Sequence, residues 1–583
     1  MRKRQFEKRT PELRLKLEGW RSRLVLILVI AGFALLAGRA FYLQALDTSF
    51  LQAKGEARYA RVVEMPASRG PVKDRNGQLL AVSTAVESIW ATPEDLDEVD
   101  AGQLRALAKA LGMDVAEIRQ KIARKDRQFV FLKRQISPEQ AAKVMGLRLP
   151  GVFQQREYRR YYPAGEVMAH VVGFTGIEDN GQEGIELAAQ ERLAGVAGSR
   201  KVIKDRKGRI VEDVESLRAP RDGEAVTLAI DQRLQFLAHR ELKAAVEANK
   251  AKAGSLVILD AKTGEVLALV NQPDYNPNNR ANLSGKQTRN RSVTDLYEPG
   301  STLKPFTIAA ALDSGVVKPD TTIQTAPGTF TIGNSTISDS HPMGLLTVAQ
   351  VIQKSSNIGA AKIQLSMPAE RMGTLYRELG FGAAPRTGFP GEAKGLLRPW
   401  AQWRPIEQAT MSYGHGIAVS LLQVARAYTI FTNEGQLLPL SLTRRDSLPI
   451  GKRLIKRETA VEVTRMMEMA TMPGGTAPRA QVPGYRVAGK TGTAYKPENG
   501  GYNESKFVSS FVGFGPASNP RFIVAVMLDE PAAGKHLGGD VGAPVFSSVM
   551  GNALRMMSVA PDAPGMPNSG TLNAQAKTPG GEG

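Results

Sequence analysis

Residues 24–38, "LVLILVIAGFALLAG", are fifteen uninterrupted apolar residues, followed by Arg39 and a further apolar "AFYL". Counted through Leu43 the segment is 20 residues long. A helix of that length crosses the hydrocarbon core of a bilayer, where each backbone polar group must be satisfied inside the helix. Nine Lys or Arg and three acidic residues precede Leu24. The positive-inside rule therefore predicts a cytoplasmic segment over residues 1–23, an anchor over 24–43, and the rest of the chain outside the cytoplasm. A cleaved signal peptide is the alternative. The apolar run lies at the upper limit for one, and no clean small-x-small site follows it. Arg39, near the outer end, reads as a snorkelling side chain or as a polar contact to a partner's membrane helix.

The remainder is too long for one core and divides in two. Residues 44–222 mix short strands and turns with helical stretches. "VKDRNGQLLAVS" reads as a hairpin in which Asn76-Gly77 supplies the positive φ of a tight turn. Between Thr92 and Leu149 the pattern becomes helical: "LRALAKALG" and "SPEQAAKVMG" have amphipathic spacing and serine or glycine boundaries. No paired catalytic groups stand out, so this region is expected to serve structure and contact. The charged "LRAPRDGEAV" marks the passage to residues 223–556, where strands at both ends and a helical, loop-rich middle predict an α+β domain: an antiparallel sheet flanked by helices. Residues 557–583, rich in Pro, Gly, Ala and Asn, read as a disordered tail. The formal charge of +19 is dispersed, with no nucleic-acid motif, and cysteine is absent, which excludes disulfides and thiolate metal sites. The five histidines show no ligand spacing, so no metal and no cofactor are expected.

Within the larger region, "EPGSTLKPF" places Ser301, Lys304 and Pro305 at the start of an apolar helical stretch. Proline fits a helix only in its first turn, so Pro305 marks the helix start and Ser301 falls at or near the N-cap. Lys304 lies three residues on, over the same face. A serine hydroxyl needs a base, and a lysine can be that base only if burial, the helix dipole or a second cation depresses its pKa. By itself Ser-x-x-Lys also fits an ordinary helix start. "KSSNIG" adds Ser355 and Asn357 on alternate positions, which otherwise reads as a capping turn. "GKTGTA" adds Lys490, Thr491, Gly492 and Thr493, a strand edge able to accept a substrate as an extra strand. Lys262-Thr263-Gly264 spells the same tripeptide, but Glu265 follows and would repel a carboxylate; it reads as a turn between strands.

Ser301-x-x-Lys304, Ser355-x-Asn357 and Lys490-Thr491-Gly492-Thr493, in this order, resemble the signature of penicillin-binding proteins and serine β-lactamases. The middle motif is Ser-Ser-Asn, not Ser-Asp-Asn, which points away from class A β-lactamases. "RGPVKDRNGQLLA", "RRYYPAGEVMAHVVGF", "GQEGIEL" and "YGHGIAVSLLQVARAY" extend the resemblance to class B penicillin-binding proteins, most closely the cell-division D,D-transpeptidases of Gram-negative bacteria. That resemblance implies a membrane-anchored dimerisation or pedestal domain over 44–222 and a penicillin-binding, serine β-lactamase-like transpeptidase domain over 223–556. It implies that Ser301 attacks the penultimate D-Ala carbonyl of a stem pentapeptide and that Lys304 takes its proton. Ser355 and Lys490 would then pass a proton to the leaving D-Ala, and Asn357 would hold the acyl-side peptide. Thr491 and Thr493 would bind the carboxylate along the Gly492 edge, with the N–H groups of Ser301 and Thr493 as oxyanion hole. Implied partners are stem peptides and glycan derived from lipid-linked precursor, β-lactams, a multi-span septal glycosyltransferase and other division proteins, at the septum of the inner membrane with the catalytic domain periplasmic. Hydrolysis by a D,D-carboxypeptidase or β-lactam-hydrolysing enzyme, and non-catalytic β-lactam sensing, are the alternatives. Tyr413 and His415, in "SYGHGI", read as cleft-lining and structural residues.

Overall fold

The computed structural model describes residues 18–46, 60–123, 127, 129–204, 210–281, 283–498 and 501–563. The basic segment expected over 1–23 lies mostly outside that range. Helix α1 (Gly19–Phe41) covers the apolar run, and a π turn (Tyr42–Leu46) continues it. The 26 residues Gly19–Gln44 are long and apolar enough to cross a bilayer. No side chain of α1 is buried against the rest of the chain, so its apolar surface needs lipid or a partner helix to cover it. Arg39 lies over the Tyr42 ring at 5.3 Å, a pair suited to the headgroup level.

In the N-terminal region a long strand (Leu79–Ala91) pairs antiparallel with Val130–Ile136 on one side and Val152–Tyr161 on the other. Val72–Lys73 and Leu79–Ala91 form the expected hairpin. Only Gly77 takes positive φ (+86°) there, because Asn76 instead aims its amide at the Asp74 and Asp231 carboxylates, both at 3.2 Å. The helices Ala101–Leu111 and Pro138–Met145 match the two amphipathic stretches, with Ser137 capping the second. Val130–Ile136, inside the stretch whose spacing predicts helices, is a strand instead; it pairs with Leu79–Ala91 and buries Leu132 and Ile136. A buried ion triad ties this region together. Glu186 accepts from Arg69 Nε and Arg160 Nε, both at 2.6 Å, and Arg160 Nη2 reaches the Gly70 carbonyl at 2.8 Å.

The passage at 217–226 is hydrogen-bonded to the N-terminal region: Gly223 N–H donates to the Ser68 carbonyl, and Val226–Thr227 pairs parallel with Val72–Lys73. Beyond it stands a five-stranded antiparallel sheet of β1 (Ala253–Asp260), β2 (Val266–Gln272), β3 (Ala488–Glu498), β4 (Gly501–Gly515) and β5 (Phe522–Asp529), in the order β2-β1-β5-β4-β3. Alternate residues of β1 explain its continuous apolar run. Leu256 and Ile258 enter one core with α2 (Gln232–Ala248), while Val257 and Leu259 enter the other, with the helical lobe. Both faces are covered, so no polar alternation is needed. Among the described residues no further strand pairs with β3, the last edge of the sheet.

Helix α3 (Lys304–Asp313) runs through the second core with Phe306, Ile308 and Ala309–Ala311 all buried, the pattern of a helix enclosed on every side. Around it lie α4 (Val348–Lys354), α5 (Asn357–Leu365) and α6 (Arg457–Thr471), and α7 (Ala543–Met556) closes the far face of the sheet. Residues 557–563, within the expected tail, stay bonded to the domain. Val559 N–H returns to the Leu554 carbonyl, Tyr485 OH to the Val559 carbonyl, and Asp562 accepts from Arg486 N and Ser518 Oγ. Those bonds hold 557–563 on the domain; residues 564–583 lie outside the described range.

Candidate active site

Pro305 sits in the first turn of α3, as its missing N–H requires. Ser301 is not the N-cap. It occupies a 3-10 turn (Gly300–Leu303) ahead of the helix, and Leu303 takes the cap position. The hydroxyl is therefore not spent on capping. Its turn is held by Thr302 Oγ1 donating to the Pro299 carbonyl (2.8 Å) and Tyr428 OH donating to the Thr302 carbonyl (2.9 Å).

Two glycines let neighbouring backbone approach this turn. A Cβ on Gly492 would meet the Pro299 carbonyl at 2.7 Å and Ser510 Oγ at 2.4 Å, so β3 can lie directly against the turn only as glycine. Gly414, at φ +82°, would place a Cβ 2.3 Å from the Gly300 carbonyl oxygen. Its flanks are Tyr413, whose ring centroid is 5.9 Å from Lys304 Nζ, and His415, stacked edgewise on Tyr413 at 5.2 Å. Burial lowers the proton affinity of His415, Glu298 opposes that and Lys304 adds to it.

Lys304 is fully buried and gathers the first two motifs. Its Nζ lies 2.9 Å from Ser301 Oγ, 3.1 Å from Ser355 Oγ and 2.8 Å from Asn357 Oδ1, and also bonds the Ser355 carbonyl. The third motif enters through Lys490 Nζ, 2.9 Å from the same Ser355 Oγ and 3.1 Å from Thr491 Oγ1. One serine hydroxyl thus bridges two buried lysines. Ser355 can do so because it adopts the left-handed conformation (φ 62°, ψ 37°) between α4 and α5. For a residue with a Cβ that costs roughly 1–3 kcal/mol, held by the structure around it. Burial drives Lys304 well below the usual lysine range, the Lys490 charge adds to that, and Asp339 opposes it. Burial alone pulls Lys490 down to about 7. With its proton affinity lowered, Lys304 is placed to act as base for the hydroxyl it touches.

Thr491 Oγ1 lies 3.3 Å from Thr476 Oγ1, and Thr493 Oγ1 accepts from Gly538 N–H at 3.0 Å. All eight residues singled out in the sequence meet around the α3 start and the open β3 edge, which can accept an extended peptide as a further strand. The second Lys-Thr-Gly, 262–264, is the turn joining β1 to β2, where Asp260 accepts from the Lys262 and Thr263 N–H groups. Three contributors were not legible. Asp339, Thr476 and Tyr502 belong to no motif and reach the site through tertiary contacts alone, Tyr502 through Glu298 and the His415 ring.

Removing the Lys490 charge should raise the proton affinity of Lys304. In Lys490→Ala the acid limb of acylation by a penicillin is expected to move to higher pH, and the plateau to fall by about 10². A stopped-flow pH series checks this; an acid limb that stays in place overturns the coupling.

A buried lysine on a serine hydroxyl, a second buried lysine across a bridging serine, and a free strand edge define a serine acyl-transferase of the penicillin-recognising fold. The chain belongs to the penicillin-binding protein family, in its peptidoglycan D,D-transpeptidase branch. Residues 254–551 match the penicillin-binding protein transpeptidase domain and residues 64–228 the penicillin-binding protein dimerisation domain. The chain is 46% identical over 547 residues to the probable peptidoglycan D,D-transpeptidase PenA of Neisseria gonorrhoeae, covering 93% of this chain and 94% of that one. It is 41% identical over 554 residues to the peptidoglycan D,D-transpeptidase FtsI of Escherichia coli, covering 93% of each. The apo transpeptidase domain of Burkholderia pseudomallei penicillin-binding protein 3 superposes with TM-score 0.54 at 48% identity, covering 58% of this chain and 98% of that one.

Proposed function

We propose that the protein crosslinks peptidoglycan stem peptides at the division septum through a Ser301 acyl-enzyme that β-lactams also form. The observation that carries this is Lys304 Nζ, buried and 2.9 Å from Ser301 Oγ. Lys304 takes the Ser301 proton as Oγ attacks the penultimate D-Ala carbonyl. Ser355, bonded to both lysines, relays a proton to the leaving D-Ala nitrogen, with Lys490 as its source. Asn357 orients Lys304 and the acyl-side peptide, and Thr491 and Thr493 take the terminal carboxylate beside Gly492 on β3. The N–H groups of Ser301 and Thr493 receive the oxyanion, each such donor being worth roughly 3–4 kcal/mol. An amine from a second stem then attacks the acyl-enzyme, forming the crosslink and freeing Ser301.

In this reading residues 44–222 form a non-catalytic pedestal and 223–556 the transpeptidase domain. The helix over 24–43 is an uncleaved anchor, with the N-terminus cytoplasmic and the catalytic domain periplasmic. A reporter fused after residue 560 is expected to act only outside the cytoplasm on a chain still beginning near Met1; an N-terminus near Ala40 would mean a cleaved signal. Glycan strands come from a multi-span glycosyltransferase contacted through the anchor and the pedestal. Within residues 69–80 that contact falls to exposed positions such as Leu79, since Arg69 and Asp74 are buried. The deciding experiment supplies nascent glycan from such a partner and analyses the products. Crosslinked stem dimers support transpeptidation, whereas trimmed tetrapeptides alone would establish a carboxypeptidase.

A further inference from the structure

Between the N-terminal region and the transpeptidase domain lies a cavity of about 320 Å³, bordered by His170 and Glu183 from the first and by Tyr275, Arg289, Asn290 and Phe389 from the second. Ligand-sized pockets begin at roughly 300 Å³, so the space suits a small molecule. Its border carries opposite charges that are not paired with each other. Glu183 is half-buried, and among the described residues its carboxylate has no hydrogen bond or ion pair. Burial raises its proton affinity with no cation opposing, and its charge adds to burial in raising the Tyr275 hydroxyl. Arg289 and Arg291, by contrast, share one partner. Arg291 Nη1 donates to Asp295 Oδ2 at 2.9 Å, and Arg289 Nη2 and Thr294 Oγ1 both donate to Oδ1. Two guanidiniums on one carboxylate leave one positive charge over, and a guanidinium has five N–H donors, so Arg289 keeps donors for a ligand. His170 adds no charge at neutral pH: burial pulls it down to about 4, and its Nε2 donates to the Gln287 carbonyl at 2.8 Å. Asn290 is a fixed wall, its Nδ2 donating to the His170 carbonyl and its Oδ1 accepting from Asn271 Nδ2, both at 2.9 Å.

We propose that this cavity binds a small α-amino acid as its zwitterion, with the ammonium on Glu183, the carboxylate on Arg289 and the side chain against Phe389 and Tyr275. A lone cation would leave the surplus guanidinium charge unanswered, and a lone anion would meet Glu183. An apolar molecule would bury both charges without partners. A zwitterion answers both. The transfer by Ser301 releases one D-alanine, an amino acid of this size, in each cycle; that link, unlike the zwitterion chemistry, rests on the transpeptidase reading. From Thr294 the chain runs on through Tyr297, whose N–H donates to the Val419 carbonyl at 3.0 Å, into the turn that carries Ser301. A bound amino acid would thus tie the N-terminal region to the segment leading to the nucleophile.

The test is calorimetric titration of the full-length protein in detergent, first acylated by a penicillin so that the Ser301 cleft is filled and does not report. Acylation, read beforehand as a gain in mass, tests the transpeptidase reading separately. The probes are D-alanine, L-alanine, D-alaninamide, which keeps only the ammonium, and N-acetyl-D-alanine, which keeps only the carboxylate. Saturable binding of D-alanine is expected, weakened about tenfold or more in the amide and in the N-acetyl compound, as when one hydrogen bond to a charged group is lost. Glu183→Gln and Arg289→Gln should each weaken it by about as much. Arg289 is exposed, so its variant decides the matter where Glu183→Gln fails to fold. No saturable binding of either enantiomer, an amide or N-acetyl compound that binds as tightly as alanine, or affinity unchanged in the variants overturns the proposal. A preference for L-alanine overturns the link to the released product.

Discussion

Ser301→Ala is expected to abolish acylation by a labelled penicillin, with the rate falling by roughly 10⁴ or more, as when an enzyme loses its covalent nucleophile. The expectation rests on exclusivity of geometry. Lys304 Nζ also touches Ser355 Oγ, at 3.1 Å, so a second serine hydroxyl stands within reach of the same base. That hydroxyl, however, is already bonded to Lys490 Nζ at 2.9 Å and sits on a left-handed residue between two helices. Ser301 lies on the short turn that Gly492 and Gly414 allow the β3 edge and the Tyr413 segment to approach. Peptide mapping by mass spectrometry checks both halves of the claim: label on Ser301 in the unmodified protein, and none in the variant. Label recovered on Ser355 in Ser301→Ala would reassign the nucleophile.

Glu186→Leu is expected to destabilise the N-terminal region by roughly 3–5 kcal/mol, because it leaves Arg69 and Arg160 buried without their carboxylate. Both guanidiniums are about 1% exposed and Glu186 is 0% exposed, so water cannot take over its role. The loss lies far outside the chemistry, and its readout should be thermal: acylation competence lost on the order of 10 °C earlier on heating. Replacing all three members by apolar residues of similar size should cost much less, since no charge then stays buried alone. A single variant that melts with the unmodified protein would show that the triad is not a structural tie. The same triad explains why "RGPVKDRNGQLLA" and "GQEGIEL" belong together: Arg69 opens one and Glu186 lies in the other, 117 residues apart.

Much of the site was legible because three motifs, each open to an ordinary reading alone, occur together in the order of the penicillin-binding signature. Pro305 marks a helix start, Ser355 and Asn357 alternate across a helix junction, and Lys490 to Thr493 extend along a strand. The errors were local in origin. Ser301 reads as a cap because its position before Pro305 suits one, but a 3-10 turn intervenes and Leu303 takes that place. Val130–Ile136 reads as part of a helical stretch, but the free edge of Leu79–Ala91 pairs with it and tertiary context overrode the local pattern. Residues 557–563 read as tail by composition, yet a few specific bonds to Arg486 and Ser518 hold them.

What the sequence by itself determined is a helix long and apolar enough to cross a bilayer and the α+β class of the larger domain, since these depend on periodicities within one segment; the eight motif residues stood out only through their joint resemblance to the penicillin-binding protein signature. Only the tertiary structure decided how the groups are poised. Burial of Lys304, the bridge from Ser355 to Lys490, and the arrival of Asp339 depend on segments from 301 to 490 meeting at one point. A pKa answers to the dielectric and charges within a few ångströms, and those neighbours come from distant parts of the chain.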